Sequence, residues 1–238
     1  MIFDQSSFDI RCEWGAVGVT RLAPESDAVI IVDVLSFSTC VAIAVANGAV
    51  IYPYQWKDES ARVYAAQLGA FAAMGREDAA GDYTLSPASL LQVPAGTKLV
   101  LPSPNGSTLS LLTGNVPTFA GCLRNASAVA VAARQYGRRI SVIAAGERWS
   151  DGSLRPAIED LIGAGAIIHQ LEGARSPEAE IARQAFLAMK ASLEDTLLGC
   201  VSGKELIARG FSQDVALAAE LDAHAIAPLL RDGAYVQF

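Results

Sequence analysis

Four short clusters in this 238-residue chain combine acids, hydroxyls, amides and guanidinium groups in patterns that could hold a hard cation and an anion together. Asp33 closes an apolar run, with Ser36, Ser38 and Thr39 behind it. An aspartate at the end of a strand can ligate a cation such as Mg²⁺, while hydroxyls and N–H groups at the following helix start favour an anion. The second cluster is Ser103, Asn105, Gly106 and Ser107, where Gly106 lets the backbone approach a ligand closely. The third is Arg124 and Asn125, and the fourth is Glu147, Arg148 and Arg155, followed by Glu159 and Asp160. Each has a purely structural alternative. Asp33 and Asn125 could cap helices, Asn105-Gly106 could be a turn, and Glu159 and Asp160 could complement a helix dipole.

Several familiar chemistries are excluded. The chain has no G-x-x-x-x-G-K-[ST] and no G-x-S-x-G. His169 and His224 both fall in Ala- and Ile-rich stretches that read as helical, so a Ser-His-Asp triad is unsupported. Leu35 stands where a phosphatase working through an aspartyl-phosphate needs a second Asp, which disfavours covalent catalysis at Asp33. Cys12, Cys40, Cys122 and Cys200 are widely spaced and read as small hydrophobes in a reduced compartment. A net charge of −7 argues against nucleic acid as a partner, because phosphate backbones need clustered Lys and Arg. No apolar run approaches the ~18 residues of a membrane span, and the start lacks the pattern of a signal peptide. No membrane partner and a cytoplasmic location are therefore expected.

The elements that must position these clusters alternate between strand and helix. Strands are expected at 28–34, 49–54, 98–101, 118–122, 139–145 and 234–238. Helices are expected at 39–47, 58–74, 107–112, 126–136, 156–171, 176–198 and 214–221, with Ser202 to Glu205 as a capping box starting another. Residues 75–87 read as a long loop of the kind that serves as a lid, and 147–155 as a second loop. Repeated strand–helix–strand units demand a three-layer α/β/α fold with a mainly parallel sheet, formed by residues 1–238 as one domain or two closely fused subdomains. Ligands of such sheets bind beyond the carboxyl ends of the strands. All four clusters are expected at that one edge.

The order Ile31-Val-Asp-Val-Leu-Ser-Phe-Ser-Thr39, Asn47-Gly-Ala49, Pro104-Asn-Gly-Ser107, Asn125-Ala126, Ala145-Gly146 and Glu159-Asp-Leu-Ile-Gly-Ala-Gly165 resembles the 2-phosphosulfolactate phosphatase family. The resemblance implies magnesium-dependent hydrolysis of 2-phosphosulfolactate to sulfolactate and phosphate, a step toward coenzyme M. It supports Asp33, Asn105, Gly106, Glu159 and Asp160 as matching positions. Two places depart from it. Ser36-Phe37 stands where the family commonly has an Arg, and Gly75-Arg-Glu77 displaces the arginine of a Gly-Glu-Arg loop. Arg148 and Arg155 are the expected replacements for binding a substrate with two kinds of anionic group.

The expected mechanism has Asp33 with Glu159 or Asp160 holding Mg²⁺ and Glu147 acting as general base. Ser36, Ser38, Thr39, Asn105, Gly106, Ser107, Asn125, Arg148 and Arg155 would bind the small phosphorylated acid. Two alternatives stand beside it: another phosphorylated hydroxy acid as substrate, or a non-catalytic anion-binding protein of the same fold. An apolar, helical C-terminal third is compatible with a homo-oligomer interface or with core packing.

Overall fold

The computed structural model describes residues 2–76 and 83–238, so 77–82 of the expected 75–87 lid loop lie outside the described residues. β1 (Ile10–Trp14) leads into α1 (Gly15–Leu22), and β2 (Ala28–Val32) into α2 (Phe37–Ala46). β3 (Val50–Tyr54) precedes α3 (Glu59–Leu68) and the two-residue β4 (Phe71–Ala72). β5 (Lys98–Pro102) turns into α4 (Gly106–Leu112), and β6 (Thr118–Gly121) into α5 (Ala126–Ala133). β7 (Ile140–Ala144) gives way to a small hairpin, β8 (Glu147–Arg148) and β9 (Leu154–Arg155). Five helices follow: α6 (Ile158–Gln170), α7 (Pro177–Met189), α8 (Leu193–Gly199), α9 (Val201–Ala208) and α10 (Ser212–Ala219). The chain then returns to the sheet as β10 (Pro228–Arg231) and β11 (Ala234–Gln237).

Among the described residues the main sheet has nine strands in the order β1-β7-β2-β6-β10-β11-β3-β5-β4. It is mainly parallel and forms the middle of three layers. Strand alternation does the sorting. Ala28, Ile30 and Val32 face the core built with α5, α6 and α7, while Val29 and Ile31 face α1 and α4. Burial on both faces explains why β2 reads as an unbroken apolar run. Helix α2 is apolar all round because Phe37, Val41 and Ile43 are enclosed by Ile51, Leu99, Leu101 and Tyr235.

The expectation of a single strand-end edge needs correction. β6–β10, β10–β11 and β11–β3 are antiparallel steps, so the block β3-β5-β4 runs opposite to β1-β7-β2-β6. The carboxyl end of β5 nevertheless meets that of β2. The Gly106 N–H at the start of α4 reaches Asp33 Oδ2, and α4 packs on both β2 and β3.

Other differences are local. The expected 58–74 helix stops at Gly69, which caps it at φ 59° in the left-handed region, and the chain re-enters the sheet as β4. The expected 176–198 helix breaks at Lys190–Ser192. The last capping box is displaced: Cys200 caps α9, its Sγ accepting from the Gly203 N–H, and Ser202 lies inside the helix. His224 lies in the irregular segment after α10 rather than in a helix. The apolar C-terminal third is used by the core, where Leu193, Leu197, Leu206, Val215 and Ala218 are buried. No helix among the described residues is long and apolar enough to cross a membrane.

Candidate active site

Asp33 follows β2 and is locked from two sides. Its Oδ1 accepts the Phe37 N–H at 3.1 Å, and its Oδ2 accepts the Gly106 N–H at 2.9 Å. The second bond needs a glycine: a Cβ at position 106 would strike the Phe37 ring and lie 2.8 Å from Asp33 Oδ2. Burial lifts the Asp33 carboxyl above its usual range, against the two amide donors and the Lys57 charge that pull it down.

Asp160, in the first turn of α6, joins three segments. Its Oδ1 accepts the Val34 N–H at 2.7 Å and its Oδ2 the Gly146 N–H at 2.8 Å. Burial, reinforced by the charges of Asp33 and Glu159, pushes its carboxyl well above the usual range. Glu159 is buried beside it, in reach of the Cys200 thiol. Glu147 opens the hairpin after β7, and its Oε2 accepts from Asn105 Nδ2 at 2.9 Å. Burial first, then the Asp33 charge, pushes Glu147 up to about 7. Asp33, Glu147, Glu159 and Asp160 thus form one electrostatic neighbourhood.

The remaining expected ligands divide sharply. Ser36 is brought to the site, where its Oγ takes a hydrogen bond from Arg76 Nη2. Ser38, Thr39 and Ser107 are fully buried, with their hydroxyls donating to the carbonyls of Ile31, Val34 and Leu101. They brace the strand ends and do not face a ligand. Asn125 is also internal: its Oδ1 accepts the Cys122 N–H and its Nδ2 donates to the Ala120 carbonyl. Arg124 is paired with Glu220 and the Leu217 carbonyl. Arg148 is exposed and reaches only the Gly152 carbonyl, at 3.5 Å. Arg155 lies over the Trp149 ring and donates to Ser202 Oγ, although its charge still reaches Glu147. Neither of the expected replacement arginines contacts Ser36.

Arg76 does. Its Nε pairs with Asp214 Oδ2 at 2.9 Å and its guanidinium lies 5.6 Å from the Phe211 ring centre. Asp214, almost fully buried at the start of α10, also accepts from Ser86 Oγ and the Ala88 N–H through Oδ1. Lys57, just beyond β3, was also not anticipated. Burial draws its ammonium pKa down, helped by the Arg76 and Arg209 charges, while the charges of Asp33 and Glu147 draw it up. A lysine three residues past a strand end is the available signal for Lys57; for Arg76 the signal is the Gly75-Arg-Glu77 stretch, read from the resemblance as a displaced arginine and here found at Ser36.

The donor set suits a hard cation only in part. Among the described residues no three His, Cys, Asp or Glu side chains converge into a ready-made cage. Mg²⁺, however, needs only one or two carboxylates and takes the rest of its shell from water and phosphate. Asp33 and Glu159 fit that requirement, and the burial that raises the carboxyls of Asp33 and Asp160 is a penalty on their ionised forms that a bound cation would offset. Asp33 and Asp160 each hold a backbone amide on both oxygens, and the second lone pair of each oxygen remains for a cation. The cysteines are free and inert, with burial pushing Cys12 to about 12 and Cys122 to about 11.

Buried strand-end acids beside a guanidinium, on a three-layer α/β scaffold, define an enzyme site suited to a phosphate monoester. Residues 19–233 match the family model described as 2-phosphosulpholactate phosphatase. The chain belongs to the 2-phosphosulfolactate phosphatase family, whose members are phosphatases of a phosphate monoester. It is 24% identical over 211 residues to a probable 2-phosphosulfolactate phosphatase of Pseudothermotoga lettingae, covering 87% of this chain and 91% of that one. It is 32% identical over 140 residues to the 2-phosphosulfolactate phosphatase of Methanothermobacter thermautotrophicus, covering 58% of each.

Proposed function

We propose that the chain hydrolyses 2-phosphosulfolactate to sulfolactate and phosphate, using Mg²⁺ held by Asp33 with Glu159 or Asp160. The carrying observation is Glu147, an acid at a strand end that is held by Asn105 and poised to titrate at about 7. A base with that pKa is half-ionised at neutral pH and can take a proton from water. The ion would neutralise phosphoryl charge next to the buried acids.

The chain's own groups do the rest. Ser36 and Arg76 lie where the non-bridging phosphate oxygens would be held, with the guanidinium suited to two-point binding. Asn105 fixes the Glu147 carboxylate so that one oxygen stays available. Water's oxygen then bonds to phosphorus as Glu147 takes its proton. The P–O ester bond breaks, and the proton returns to the leaving oxygen. Asp160 contributes by holding the ends of β2 and β7 at a fixed separation.

Phosphate release from 2-phosphosulfolactate, measured with Mg²⁺ and again with EDTA, tests this reading. Chelator-sensitive release is expected. Release only from other phosphorylated hydroxy acids would change the substrate, and release from none would sink the proposal.

A further inference from the structure

A cavity of about 490 Å³ opens beside the acids, and its walls carry Lys57, Arg62, Arg76 and Arg209 against Asp58 and Glu59. The two acids have other work. Asp58 caps α3 by accepting the Ser60 N–H, and Glu59 pairs with Arg62 at 3.1 Å. In a chain of net charge −7 this is a local reversal of sign. Arg76 and Arg209 are both placed by the Phe211 ring, at 5.6 and 5.9 Å from its centre. Lys57 forms no hydrogen bond or ion pair among the described residues; the charges of Asp33 and Glu147 reach its ammonium from the acidic side, and those of Arg76 and Arg209 from the cavity. Ala61, Ala72 and Ala73 line the cavity and leave room for a ligand.

Arg76 and Arg209 are paired with Asp214 and Glu205 on their far sides, and cations gathered around an open space favour an anion within it. We infer that this cavity is a second anion subsite, in which Lys57 and Arg209 take the non-reacting anionic tail of the substrate, a sulfonate or carboxylate. The inference rests on the phosphate-monoester reading above. Arg76 stands at the junction, lining the cavity and touching Ser36. The subsite selects doubly anionic esters over simple ones, replacing the role expected of Arg148 and Arg155.

The test has two arms, each run on the full chain, Lys57→Gln and Arg209→Gln. In the first, kcat/KM is compared for 2-phosphosulfolactate, phospholactate and isopropyl phosphate. Each substitution is expected to cut the preference for an anionic tail by about tenfold or more, the worth of one charge-assisted contact. A preference that falls for the sulfonate ester alone identifies the tail group as sulfonate; a fall for both esters identifies the carboxylate they share. In the second arm, calorimetry measures binding of sulfolactate, which lacks the phosphate, with thermal melting as the folding control. Binding by the wild type and loss in both variants is expected. Wild-type preference and binding that persist in the folded variants overturn the subsite. If no ester is turned over, the phosphatase reading fails and calorimetry alone decides the subsite. No sulfolactate binding to the wild type also overturns it.

Discussion

The acidic hole and the basic cavity are neighbours of opposite construction. The acids sit at strand ends and helix starts, and backbone amides hold Asp33 and Asp160 on both oxygens. The cations come from scattered segments, at 57, 62, 76 and 209; the three arginines are held by other side chains, and Lys57 has no hydrogen-bond or ion-pair partner among the described residues. Chemistry that must be placed to a fraction of an ångström is tied to the backbone. Charge that need only attract and orient an anion is carried on long side chains with room to adjust.

The largest effect is expected on the acidic side. Glu147→Gln should lower kcat by about 10²–10⁴-fold, the usual worth of a positioned base. The wild-type rate should climb with pH as Glu147 ionises, with bound Mg²⁺ drawing the midpoint below the metal-free value of about 7, and this limb should vanish in the variant. The same residue predicts a gain in stability. Its folded pKa of about 7 exceeds the ordinary 4.5, so the neutral acid is the form the fold prefers. That contribution is fully present below 4.5 and is lost as pH rises through about 7. Above that pH in metal-free buffer, Glu147→Gln should gain up to about 3 kcal/mol over the wild type relative to their difference in acid, read from urea midpoints. An unchanged pH profile would remove Glu147 from its role.

Asp214→Asn tests whether the basic side depends on its anchor. Arg76 would lose its buried partner, so KM should rise about tenfold with a smaller change in kcat. Breaking the pair should also cost about 3–5 kcal/mol of stability, measured by thermal or urea unfolding. Partial recovery of KM by Asp214→Glu separates charge from simple misfolding. The smallest effect is expected outside both regions. Arg148→Ala should alter kcat/KM by less than about twofold, as for an exposed charge without a firm partner. A large loss there would place Arg148 on the substrate and blur the division between the two regions.

The sequence announces the acidic side because its parts are local. An apolar run ending in Asp33, an Asn-Gly turn after β5 and paired acids opening α6 are all marked by their own neighbours. Even there, the sequence does not separate the internally bonded Ser38, Thr39, Ser107 and Asn125 from ligand groups, since a hydroxyl or amide bracing a carbonyl looks the same in sequence as one awaiting a ligand. β1 is not legible in the sequence because Ile10-Arg-Cys-Glu-Trp14 places two charges in mid-strand. Arg11 is nevertheless fully buried, donating to the Glu25 carbonyl at 2.6 Å. β4 was hidden by a helical pattern that Gly69 interrupts. The reversal of the β3-β5-β4 block depends on β10 and β11, which return from the far end of the chain. Arg76 depends on Asp214, 138 positions away, and no local pattern encodes such a pairing.

Asp214 holds Arg76 on one side of positions 77–82, and Ser86 and Ala88 on the other. The two ends of that stretch are thereby pinned to the same carboxylate on α10. The guanidinium takes its position from this helix and not from the loop that carries it. Substitution, lengthening or shortening between the pins is thus uncoupled from the charge at Ser36. This gives evolution, or a protein engineer, a place to vary the chain without relocating the arginine.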